Sequence, residues 1–171
     1  TLSTHSLVAS LSAPHGEDGA LEIVQGWADT AELMANHVLI IESVAEGLCE
    51  VGITNHYSLA RLLADDPDLP VELVWVDQDG RGTHVNISGG GVTRYADDPD
   101  LAQQLLEWLA TEGQSAFADG NHEYPVNPDV EPEPLITAEF GTTFVRDELD
   151  AATFGELNAE AVRLMDEAGY R

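Results

Sequence analysis

Residues 52–63 read GITNHYSLARLL, the end of an apolar, strand-like run passing directly into a helix-like one. Asn55 suits an N-cap, which sets His56, Tyr57 and Ser58 in the first helical turn. Backbone N–H groups in that turn have no acceptor within the helix, so the place suits an anion. The phenol of Tyr57 is a hard oxygen for a cation, and the neighbouring imidazole of His56 is a softer second ligand. Taken alone, the same residues also fit an ordinary helix start.

Other chemistry-bearing patterns are weaker. The glycines of GRGTHVNISGGGV are followed by no GK[ST] and form no GxGxxG opening a helix, so they read as tight turns around a strand. Asp77 and Asp79 lack the third acidic position and distal Glu of an EF-hand loop and read as turn formers. His5, His15, His37, His84 and His122 show no HExxH or i, i+4 spacing, and each reads as structural, with His84 hydrogen-bonded where it enters a strand. No Ser/His/Asp or Cys/His set assembles from spacing, and no enzyme is expected.

The junction at Asn55 must be carried by the elements around it. Helical spacing of apolar residues predicts helices over 4–13, 17–31, 38–47, 55–64, 99–110, 112–119 and 153–168. Residues 49–54 (CEVGIT), 71–76 (VELVWV) and 84–88 (HVNIS) read as strands, the second buried on both faces. The stretch 120–137 holds four of the eight prolines and reads as an extended loop. Strands alternating with helices predict an α/β fold, a mixed sheet flanked by helices on both faces. Ligands of such sheets gather where strands end and helices begin, which is where Asn55 to Ser58 fall.

Composition sets the surroundings. There are 32 acidic and 6 basic residues in 171, a formal net charge of −26, with 43% of residues hydrophobic. Every basic residue other than histidine is Arg. Such a chain repels phosphate backbones, so nucleic acid is not an expected partner. The periodic apolar blocks argue for a folded domain coated with acids, as in proteins that work in high salt. The single Cys49 forms no internal disulfide and reads as a small core residue. No run approaches the roughly 20 apolar residues of a membrane span, and no leader-like segment is expected in the chain as it stands.

Seven blocks, in order, carry a family resemblance: SLVAS (6–10), HGED (15–18), VQGWAD (24–29), VAEGLCEVGITNHY (44–57), GRGTHVNISGGGVT (80–93), NHEYPVNP (121–128) and NAEAVRLMDEAGY (158–170). Together they resemble the ferric-iron-binding periplasmic proteins that deliver Fe(III) to ABC importers. The resemblance implies a periplasmic-binding-protein-like architecture of two α/β lobes with iron in the cleft between them. It places 1–74 in the second lobe, 75–120 as a hinge strand and first-lobe return, and 121–171 as a Pro-rich crossover and C-terminal helical segment of the second lobe. It implies that roughly the first hundred residues of the family have no counterpart here, the size of a small domain.

The family places adjacent tyrosines at the strand-to-helix junction. By the resemblance Tyr57 matches the first, Ser58 stands where the second would be, and Ser3 stands where a further tyrosine lies. Phenolate is a hard anionic ligand for Fe(III). Tyr57 and His56 are therefore the implied ligands to Fe(III), which a synergistic anion accompanies, and Asn55, Ser58 and Ser3 complete the implied ligand-binding residues. Affinity is expected to be low or absent with one phenolate in place of several. Implied partners are the membrane subunits of an importer, the implied setting periplasmic or extracellular. The alternative is a transport-incompetent relative acting as a homo-oligomeric interaction module or an anion binder, completed or not by a missing N-terminal lobe.

Charge alone generates the first prediction. With −26 formal charges on 171 residues, self-repulsion opposes the compact state and added salt screens it. The melting temperature is expected to climb as NaCl rises from low to molar concentration. A melting temperature that does not move over that range would remove the high-salt reading.

Overall fold

The computed structural model describes residues 2–170. Among them are eight helices: α1 (Leu2–Thr30), α2 (His37–Ala45), α3 (His56–Asp65), α4 (Pro99–Ala110), α5 (Gln114–Asn121), α6 (Pro134–Phe140), α7 (Ala151–Glu156) and α8 (Asn158–Glu167). They divide between two compact units. Unit 1 holds residues 1–35, 75–87 and 144–171, and unit 2 holds 36–74 and 88–143.

In unit 1 the two ends of the chain pack on each other. Val8, Ala9, Ala20 and Val24 from α1 close on Phe154 from α7 and on Ala161, Leu164 and Met165 from α8, all buried in one apolar cluster. Each large side chain in it contributes about 1.5–3 kcal/mol by leaving water. The two helices expected over 4–13 and 17–31 form one helical run, broken at Gly16, whose φ of 68° is left-handed. Pro14, inside α1, has no N–H for the carbonyl of Ser10 one turn back. That carbonyl instead accepts from the Arg81 guanidinium.

The two segments by which the chain re-enters unit 1 are tied side by side. The rings of Trp75 and Phe144 stack with centroids 4.2 Å apart. The Gln78 side chain pairs with both backbone groups of Val145, accepting from its N–H at 2.7 Å and donating to its carbonyl at 2.9 Å. Thr83 N–H donates to the Val145 carbonyl and Asp147 N–H to the Thr83 carbonyl, each at 2.9 Å. These make one isolated parallel bridge, Thr83 with Arg146. No longer strand forms among the described residues.

Unit 2 is helical where it is buried. Leu59, Ala60 and Leu63 of α3, Ile41 of α2, Ala118 of α5, and Ile136 and Phe140 of α6 are its buried apolar residues. Helix α2 is capped by Asn36, whose side chain accepts from Leu39 N–H at 3.0 Å, and α4 by Asp98, which accepts from Leu101 N–H at 2.9 Å. The buried Gln114 amide joins α5 to two other segments. It donates to Leu109 O at 2.9 Å and accepts from Val126 N–H at 3.1 Å and Asn127 N–H at 3.2 Å.

Two local expectations are refined. The Pro-rich stretch ends in α6, with Pro134 in the first turn, where its missing N–H costs nothing. The helix expected over 153–168 is two helices meeting at Leu157. The expected strands differ more. Residues 49–54, 71–76 and 84–88 have no helical or strand assignment, and Val51 is 85% and Val74 73% exposed. In 71–76 half-buried and exposed residues alternate, with Glu72, Val74 and Val76 on the uncovered side. The free Cys49 is half-buried.

His84 generates the second prediction. Its Nε2 lies 3.1 Å from Ser6 Oγ and its ring meets Phe154 edge-on at 4.9 Å. Burial pushes the imidazole down from 6.5 to about 4, with the Asp147 carboxylate opposing and the Arg81 guanidinium reinforcing. Above pH 6.5 both folded and unfolded chains hold it neutral. Between 6.5 and about 4 only the unfolded chain takes up the proton, so this stabilising contribution is complete above the window and lost as pH falls through it. The stability difference between wild type and His84→Gln should shrink by about 1–3 kcal/mol between pH 7 and pH 4, read from urea midpoints. A difference constant with pH would refute it.

Candidate functional site

The four residues of the junction 55–58 lie together in unit 2 at the start of α3, while Ser3 belongs to α1 of unit 1. Asn55 is the N-cap residue in extended conformation, yet its side chain makes no capping hydrogen bond. Its amide Nδ2 donates instead to the Tyr57 hydroxyl oxygen at 2.7 Å. The first turn is closed by Ser58 N–H donating to the Asn55 carbonyl at 3.0 Å. That uses one of the amides otherwise left for an anion.

Tyr57 is half-buried, with the Arg61 guanidinium 5.3 Å from its ring centroid. Its hydroxyl thus has a neutral N–H donor, and its ring a cation. Ser58 turns the other way. It is buried, and its Oγ lies 3.1 Å from His37 Nδ1, joining α3 to the first residue of α2.

His56 sits among aromatic rings, with centroids 5.3 Å from Tyr124, 5.9 Å from Tyr57 and 6.2 Å from Phe140. Burial pushes it down to about 4, against a hydrogen bond to the His122 backbone that favours the charged ring. It is therefore neutral at physiological pH. Tyr124 donates its hydroxyl to the Gly141 carbonyl at 2.7 Å, and burial pushes that phenol up to about 12. His122, left-handed at φ 56°, pairs through Nδ1 with Glu133 at 2.7 Å. Ser3, half-buried, accepts at its carbonyl from the Ser6 hydroxyl at 2.9 Å.

Of the two tyrosines in this cluster, Tyr57 accepts from the Asn55 amide at its hydroxyl oxygen, whereas the Tyr124 hydroxyl is committed to the Gly141 carbonyl. Among the described residues no cluster of three or more His, Cys, Asp or Glu is arranged for a metal. Tyr124, Phe140, His37 and His122 were not singled out as site residues from the sequence. Tyr124 and His122 lie within NHEYPVNP, so a family block marked their place, but nothing in their spacing brought them to residue 56.

The buried Ser58 gives the third prediction. Ser58→Ala removes the hydroxyl from His37 Nδ1 and should cost about 1 kcal/mol. Ser58→Tyr must force a ring into a buried position and should cost about 1–3 kcal/mol. Chemical denaturation measures both, and a Ser58→Tyr variant as stable as wild type would show that the position is open to solvent.

Comparison with known proteins places this geometry in context. No family model matches the chain. Iron uptake protein A1 of Synechocystis is 36% identical over 175 residues, covering 97% of this chain and 48% of that protein. The major ferric iron-binding protein of Neisseria meningitidis is 26% identical over 163 residues, covering 91% of this chain and 47% of that protein. A Trichodesmium protein solved in complex with iron and citrate ligands superposes with a TM-score of 0.89 at 35% identity, covering 100% of this chain and 56% of that one. The chain spans about half the length of the curated relatives it matches.

Proposed function

We propose that this chain, a homologue of bacterial iron-uptake and ferric-iron-binding proteins, serves as part of the solute-binding component of an iron(III) ABC import system in a salt-rich setting. The observation that carries the reading is the match to an iron-uptake protein along 97% of the chain. The ferric ion is cargo, met by the phenolate of Tyr57, with the Asn55 amide donating to the same oxygen. Citrate or another small anion is the partner ligand in this reading, as a ligand of that kind accompanies iron in the Trichodesmium protein. His56 is a neighbour that holds the Tyr57 ring in place, and as an imidazole it is the softer candidate ligand.

The same reading extends to architecture. In a periplasmic-binding-protein-like fold, 1–74 and 121–171 would belong to the second lobe and 75–120 to the hinge strand and first-lobe return, and the extended runs 49–54, 71–76 and 84–88 would take strand positions in a mixed sheet flanked by helices. Importer membrane subunits are the proposed partners, in a periplasmic or extracellular location. The role is transport, with no catalysis.

Iron is tested by colour. Fe(III) offered as its citrate complex should give a phenolate-to-iron charge-transfer band that Tyr57→Phe abolishes. Tyr124→Phe should leave the band in place, because the Tyr124 hydroxyl is held by Gly141. A single phenolate makes the band weak and reversible. A band unchanged in Tyr57→Phe, or lost only in Tyr124→Phe, would sink the assignment of Tyr57.

A further inference from the structure

The sequence holds three Asp–Gly pairs, at 18–19, 79–80 and 119–120. In such a pair the glycine nitrogen, unshielded by a side chain, can close on the aspartyl Cγ, provided the aspartate backbone is free to turn that nitrogen towards it. Two of the pairs are denied that freedom. Asp18 and Gly19 lie within α1, and Asp119 and Gly120 within α5. Each pair adjoins a buried alanine, Ala20 or Ala118, so the rotation would unwind a helical turn and pull that alanine from its core. The third pair stands exposed in a turn, outside any helix. Asp77, left-handed at φ 55°, builds this turn. Its carbonyl accepts from Gly80 N–H at 3.1 Å and Gly82 N–H at 2.9 Å, and its carboxylate accepts from Arg81 N–H at 3.1 Å. A Cβ at position 80 would overlap Asp77 Oδ1, so the Asp77 cap itself calls for glycine after Asp79.

We propose that Asp79–Gly80 is a site of spontaneous isoaspartate formation, and that conversion there releases Arg81 from α1. The Gly80 nitrogen bonds to Asp79 Cγ, the C–OH bond of the protonated carboxyl breaks, and the hydroxyl leaves with the amide proton as water. Water then adds back to the cyclic imide. Where it opens the bond between the nitrogen and the Asp79 α-carbonyl, the chain runs on through Cβ and Cγ, one methylene longer, with its mass unchanged. The added atom falls in a loop without slack. Gln78 pairs with both backbone groups of Val145, Thr83 N–H donates to the same Val145 carbonyl, and the Gln78 amide donates to Thr83 Oγ1 at 3.2 Å. Gly82, at φ 94°, lies so close that a Cβ there would meet the Val145 and Arg146 backbone at 2.7 Å. Between these pinned ends Arg81 reaches the Ser10 carbonyl and, at 3.5 Å, the Asp147 carboxylate. A longer backbone between fixed ends bulges and carries Arg81 off both partners. The Ser10 carbonyl, which Pro14 leaves without a helical donor, then loses its guanidinium as well.

The test ages the full chain at physiological temperature and mildly acidic pH, in water enriched in a heavy oxygen isotope, both folded and unfolded in guanidinium chloride. Peptide mapping with electron-transfer fragmentation locates isoaspartate and the label that hydrolysis of the imide leaves in it. In the folded chain, labelled isoaspartate is expected at position 79 at least about tenfold faster than at 18 or 119, the equivalent of about 1.4 kcal/mol of helix opening. In the unfolded chain the three rates should converge. Asp79→Glu keeps the charge but would have to close a less favoured, larger ring, and should show next to no conversion. Aged wild type, and not aged Asp79→Glu, should exchange its amide hydrogens about tenfold faster or more at Gly82, Thr83 and Asp147. Equal folded rates at the three pairs, faster conversion within a helix, or isoaspartate without the label overturns the site. Conversion at position 79 with exchange unaltered at those three amides overturns the release of Arg81.

Discussion

Extended backbone cannot be withdrawn from water until its N–H and C=O groups have partners, and this constraint shapes the whole molecule. A helix meets the requirement internally, so the helices of both units bury their apolar stripes wherever a neighbour exists. An extended run needs a second strand. Where this chain supplies one, at 75–83 and 144–147, even a side-chain amide is recruited, with Gln78 pairing to Val145 as a strand would. Where it supplies none, valines and isoleucines that read as core stand in solvent.

This also explains what the sequence made legible. Helix boundaries were readable because capping is local. Asp98 stands just before Pro99 and accepts from Leu101 N–H three residues on, at the start of the helix expected over 99–110. The strand pattern of VELVWV was equally clear in residue type, but its partner is not encoded nearby, so pattern and pairing part company. Helix α6 was hidden because prolines that forbid a helix interior are welcome in a first turn.

The candidate site was legible in outline only. Asn55, His56, Tyr57 and Ser58 are where their spacing put them, but their orientations depend on residues far away in sequence. His37 draws Ser58 inward, and Tyr124 and Phe140 enclose the imidazole of His56. Asn55 gave up the expected cap to serve the phenol oxygen. Adjacent residues in one helical turn thus acquire separate partners, Ser58 in the distant His37 and Tyr57 in the neighbouring Asn55.

The uncovered side of 71–76 bears on how the molecule behaves in a crowded solution. Glu72 shares that side with Val74 and Val76, a carboxylate set into an otherwise sticky run, which is how natural edges discourage pairing with strangers. Its reach is electrostatic, about 8 Å at physiological ionic strength and about 3 Å at 1 M. Brine that relieves crowding among the acids therefore also shortens the guard that keeps this edge from foreign strands. Colloidal behaviour and conformational stability pull in opposite directions as salt rises, and covering the edge is the arrangement that removes the conflict.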